Sequence, residues 1–173
     1  MRILASGLVL LAGTAVLPTS TRGGEIADPG FREGLTLLHD GRFDEAEAFF
    51  ARAGGRPDAT AFFRAFTTYW RLLYDPDNPG LEADLERRLL DSAARGEEAL
   101  ARNTSDAEAT LFAGSSRLLL AELRASQKKV FAAGSEAKKA KRLLETGAKA
   151  DSVATDASFG LGTYNYMADR LPA

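Results

Sequence analysis

The stretch HDGRFDEAEAFFARA, residues 39–53, decides the fold. Asp40-Gly41-Arg42 is a turn signal, because glycine reaches backbone conformations closed to other residues and so permits a tight reversal. After the turn, Phe43 and Phe50 stand seven residues apart and Ala46 and Phe50 four apart. On an α-helix that spacing puts them on one stripe. Ahead of the turn, FREGLTLLH (31–39) carries Gly34 where a second helix would need a small neighbour, and Ala46 and Ala53 are small at the matching places. The two segments therefore read as antiparallel helices joined by a short turn.

From this hairpin outward the chain reads as helix after helix. Ala, Leu, Glu, Arg and Lys dominate, all good helix formers, and no run alternates apolar and polar residues as a half-buried strand would. The pattern predicts segments at about 30–39, 43–54, 58–74, 81–103, 106–125, 128–149 and 153–169. Gly54-Gly55-Arg56-Pro57-Asp58 supplies a stop and a restart, and Asp75-Pro76-Asp77-Asn78-Pro79-Gly80 a loop no helix crosses. Asn103-Thr104-Ser105 and Thr155-Asp156 offer side-chain oxygens to cap the helices that follow.

Residues 30–59 resemble the tetratricopeptide repeat, a helical hairpin with a small residue in its first helix, Gly-aromatic at the turn and Ala-aromatic-Ala along its second. The resemblance implies an all-α, TPR-like helical-hairpin solenoid of about seven antiparallel helices over residues 25–173. LFAGSSRLLLAEL (111–123) and FGLGTYNYMADRL (159–171) look like further first helices, with Gly114 and Gly162 as close-approach glycines. Gly160-Leu161-Gly162-Thr163-Tyr164-Asn165-Tyr166 is also similar to a Gly-Leu-Gly-x-Tyr-x-Tyr helix of exported bacterial repeat proteins. The pattern departs from the regular repeat in three ways. Gly30 stands where the repeat has Trp, the spacings from Gly34 to Gly114 and Gly162 exceed a regular period, and residues 58–103 carry no repeat glycine.

Composition narrows the function. The 173 residues suit one globular domain, and a net charge of −2 gives no overall attraction to nucleic acid or an acidic membrane. Cysteine is absent, so thiolate and Cys/His zinc sites, iron–sulfur clusters, disulfides and a cysteine nucleophile are excluded. The one histidine, His39, reads as a polar residue closing a short helix. Residues 1–23, with one Arg, an apolar run from Ile3 to Leu17 and then Pro18, have the layout of a secretory signal peptide. An exported protein, periplasmic or extracellular, is expected, with membrane contact only if that segment stays uncleaved.

Three patterns invite specific chemistry. Asp75, Asp77, Gly80 and Glu86 fall at calcium-loop places, but Pro79 sits where an oxygen ligand belongs, and an interhelix loop is the better reading. All lysines lie between Lys128 and Lys149, and residues 117–149 hold nine basic side chains against three acidic. A basic face of Lys128, Lys129, Lys138, Lys139 and Arg142 follows, with Lys138, Lys139 and Arg142 opposite Val130, Ala133, Ala137, Ala140 and Leu144. Asn103-Thr104-Ser105 fits an N-glycosylation acceptor, relevant only to a eukaryotic secretory route.

No nucleophile–base pair, metal cluster or phosphate loop stands out, so the sequence predicts a noncatalytic scaffold without cofactor or metal. In stacked hairpins of this kind the first helices line a concave face. The resemblance then places Leu35, Leu38, His39, Ser115, Leu118, Leu119, Thr163, Tyr166 and Met167 on it, with Tyr69 from the aromatic segment between. Another protein or a peptide is the expected partner, not nucleic acid. The alternative is a lipid- or small-ligand-binding helical module using the apolar groove and the basic 117–149 segment. An enclosed pocket with two carboxylates would reopen the case for an enzyme. The last helix, bearing Leu161 and Tyr164, needs covering by the preceding pair, by further chain or by a partner.

Overall fold

The computed structural model describes residues 29–53, 55–150 and 152–168. Among them are seven α-helices and no strand: α1 (Pro29–His39), α2 (Phe43–Arg52), α3 (Pro57–Tyr74), α4 (Pro79–Arg102), α5 (Ala107–Ser126), α6 (Val130–Gly147) and α7 (Ala154–Ala168). Each predicted segment is present, with ends moved by a few residues. The proposed signal segment, 1–23, lies outside the described residues. No described helix is long and apolar enough to cross a membrane.

Local chemistry sets the boundaries. Gly41 has φ +75°, the left-handed conformation that turns α1 back into α2. Asn78 accepts from the backbone N–H groups of Gly80 (3.1 Å) and Leu81 (3.4 Å), so α4 begins at Pro79 rather than 81. Proline suits that first position because its missing N–H would have no helical partner there. The calcium-loop reading fails on the same fact: Gly80 and Glu86 are inside α4, and Glu86 pairs with Arg124 (3.4 Å) and Lys129 (3.8 Å).

Two predicted caps are corrected. Asp106 caps α5, its Oδ1 accepting from Ala109 N at 3.0 Å, while Asn103 instead closes a small turn onto Ser105 N at 3.1 Å. Thr155 and Asp156 lie within the first turn of α7 rather than ahead of it. Asp106→Ala is expected to cost at least about 1 kcal/mol, read as a lowered urea midpoint. An unchanged midpoint would show that the cap contributes nothing.

Helices pack on their neighbours in sequence, and the odd-numbered α3, α5 and α7 also touch in succession. One apolar cluster joins α1, α2 and the start of α3 around Phe31, Leu38, Phe50 and Phe63. A second joins α3, α4 and α5 around Tyr69, Leu85, Leu89 and Leu120, and a third joins α5, α6 and α7 around Leu118, Leu144, Val153 and Ala157. Helix α5 is common ground: it meets α3, α4, α6 and α7, which accounts for apolar residues around most of its circumference.

Small residues set the close approaches. A methyl placed on Gly34 would overlap the Phe50 ring, and one on Gly114 would lie 2.9 Å from Leu144 Cγ. Gly162 is different from its prediction. A methyl there would meet nothing within 4 Å, whereas one on Gly160 would lie 3.0 Å from Leu144 Cδ1, so Gly160 is the contact glycine of α7. Between α4 and α5, Gly96 faces Ala113, and Ser92 and Ser116 share a buried 2.7 Å hydrogen bond. Within residues 58–103, which carry no repeat glycine, α3 and α4 pair instead through Ala65, Tyr69 and Leu72 against Leu85 and Leu89. Helix α7 lies back on α5 and α6, with Leu161 and Tyr164 against the third cluster.

Candidate functional site

Three helical stripes converge on one cavity of about 200 Å³, open to solvent. Helix α3 contributes Phe62, Phe63 and Phe66; α5 contributes Leu111, Phe112, Ser115, Leu118, Leu119 and Glu122; α7 contributes Asp156, Phe159, Gly160 and Thr163. On α5, Leu111, Ser115, Leu118 and Glu122 recur at four- and three-residue steps, one face of a helix. The N-terminal ends of α3 and α5 are clamped together beside it. Arg56 bonds Asp58 at its own helix start (2.7 Å) and reaches Asp106 (3.0 Å) and Glu108 (3.3 Å) at the start of α5. Hydrogen bonding to Asp58, with Asp106 adding to it, raises the guanidinium pKa.

The walls are apolar, but two carboxylates enter them. Glu122 is only partly exposed, and burial pushes its carboxyl up to about 7. Asp156 is more exposed, and partial burial also raises its carboxyl. No cation acts on either among the described residues. Burial raises the phenol pKa of Tyr69, and the Glu122 charge raises it further. The two do not, however, form a well-aligned hydrogen bond, and Tyr69 Oη and Trp70 Nε1 are both buried without a partner.

Comparison with protein-family models, with curated proteins and with solved structures finds no match for this chain.

Of the sequence-predicted contact residues, Ser115, Leu118, Leu119 and Thr163 are brought together in the cavity wall. Leu38 is a correction: at 1% exposed it belongs to the core around Phe50 and presents no surface to a partner. Leu35 is partly buried against the same cluster, and His39 is exposed at the end of α1 with its ring edge on Trp70 at 6.0 Å. Tyr69 is buried in the second cluster. Tyr166 is partly buried and is not among the lining residues, and the Met167 side chain falls outside the described ones.

The basic face is divided. Lys139 is tied to Glu136 (3.4 Å) and Lys129 to Glu86 (3.8 Å), while Lys128, Lys138 and Arg142 are exposed. Glu136 is buried and also accepts from Arg117 (2.7 Å) and Arg124 (3.0 Å), so part of the positive charge of 117–149 is neutralised inside the fold. Val130, expected to face inward, is instead 63% exposed beside Phe131 at 97%. Lys128, with φ 63°, lies in the turn that joins α5 to α6.

Sequence reasoning missed Phe62, Phe66, Phe159 and both carboxylates as parts of one wall. The available signal was Glu122 itself, a charge in register with Leu111 and Leu118.

Proposed function

We propose that this chain is a noncatalytic, exported, TPR-like scaffold whose α3–α5–α7 groove receives an apolar segment of another protein. What carries the reading is that aromatic and aliphatic stripes from three successive odd helices line a single open trough. In a hairpin solenoid the first helix of each pair would occupy that side. An apolar groove between helices suits the hydrophobic face of an amphipathic helix, whose anchors recur at three- and four-residue steps.

Selection of random 16-residue peptides displayed on phage against residues 25–173 tests it. Recovered peptides are expected to lose at least about tenfold in affinity, or about 1.4 kcal/mol, on the Ser115→Trp protein, because an indole on that partly exposed wall position fills the trough. Thr163→Trp blocks from α7 and guards against misfolding of the first variant. Failure to recover peptides, or peptides indifferent to both blocks, would end the groove reading.

The presence of two carboxylates in one cavity wall favours a second reading, general acid–base catalysis, for which a carboxylic acid titrating near neutrality is suited. Against it, no Arg or Lys among the described residues lines the cavity to steady developing negative charge, and Ser115 and Thr163 are its uncharged side-chain donors. Turnover of chromogenic esters or glycosides that disappears in both Glu122→Gln and Asp156→Asn would favour catalysis over binding.

A further inference from the structure

The groove carries a chemical demand that its shape alone does not. Glu122 lies one turn beyond Leu118 and Leu119 on the apolar α5 wall, next to Tyr69, and among the described residues no cation reaches it. Other carboxylates at helix interfaces are matched: Glu136 by Arg117 and Arg124, Glu47 by Arg64 and Arg88, Asp58 by Arg56. An ionised carboxylate in an apolar wall is costly unless something supplies the opposite charge. Asp156, on the facing α7 wall, adds a second negative group to the same trough.

We propose that the occupant is a protein segment bearing one basic side chain within its apolar face, which the Glu122 carboxylate holds inside the groove. This rests on the groove reading above and specifies what the groove selects. A Lys or Arg fits the surroundings in both its parts. Its aliphatic stem can lie along apolar walls while the charged end reaches the carboxylate. An acidic segment would meet two like charges instead.

The selection follows pH. Glu122 titrates at about 7, so it is charged at pH 8 and largely neutral at pH 5.5. The titratable group facing it from the packed helices is Tyr69 of α3, while Asp156 of α7 lines the same cavity toward the start of α5 and does not act on it. Helices α4 and α6 pack on the other side of α5, where Glu86, Glu97, Glu136 and Lys139 engage Arg117, Arg124 or one another. Holding of the basic group should therefore strengthen from pH 5.5 to pH 8.

The test uses residues 25–173, peptides recovered by the phage selection, and synthetic analogues in which the basic residue is replaced by norleucine, read by fluorescence anisotropy. The proposal expects a Lys or Arg within the apolar set, at least about a tenfold loss on its replacement at pH 8, and little loss at pH 5.5. Glu122→Gln should erase the difference at pH 8. Peptides that respond to Ser115→Trp but carry no basic residue, or whose Lys preference survives Glu122→Gln, overturn this proposal and leave the groove reading standing. Peptides indifferent to Ser115→Trp and Thr163→Trp overturn both.

Discussion

Phe50→Ala is expected to remove about 3 to 5 kcal/mol of folding stability, the range for truncating a fully buried aromatic ring. Phe50 is 0% exposed, and its ring stacks on Phe63 at 5.2 Å and on Phe31 at 6.1 Å. It therefore joins α1, α2 and α3 at one point. Gly34 makes the loss hard to repair, since its missing side chain leaves the space that the Phe50 ring fills. Collapse into the vacated volume would need α1 to shift as a body. Helix α1 packs chiefly on α2, so its backbone amides should lose hydrogen-exchange protection before those of α5. Urea unfolding of wild type and variant reads the total, and a change of a few tenths of a kcal/mol would remove Phe50 from the core.

The first hairpin was legible because its signals agree: a glycine at a positive-φ turn, an aromatic stripe, and a small residue facing that stripe. Agreement of this kind is what makes a segment's fold readable. Helix α7 was harder, because Gly160 and Gly162 stand two residues apart and so fall on different faces. Sequence spacing alone does not say which one meets Leu144, and choosing Gly162 moved the predicted contact face around the helix. The basic segment misled in another way, because Arg117 and Arg124 read as surface charge yet serve as counterions to buried Glu136. In α5 the contrast between faces is weak, since four helices surround it. A single carboxylate in that helix gives no sign, from sequence, of which neighbour it faces.

Glu122→Gln is expected to stabilise the unliganded protein above pH 7 and to change it little near pH 4.5. In the folded chain burial raises this carboxyl from 4.5 to about 7. Below the unfolded value both states hold the proton, and Glu122 brings no penalty. Between the two values the folded state keeps a proton that the unfolded state has released, so stability falls as pH rises. Above pH 7 the loss levels off at about 3 kcal/mol, since each unit of displacement corresponds to about 1.4 kcal/mol. The substituted amide has no proton to exchange, so subtracting the variant's stability from the wild type's at each pH isolates Glu122 from other carboxylates. Asp84, Asp106 and Glu136 have lowered values and weaken the fold in the opposite direction as pH falls. Urea midpoints from pH 4.5 to 8.5 should thus show the Glu122→Gln variant gaining on the wild type as pH climbs. A gap that stays flat would mean that Glu122 is well solvated, and the demand for a cationic occupant would go with it. If the gap opens, a basic peptide bound to the wild type should narrow it at pH 8, because the cation then compensates the same charge that the substitution removes.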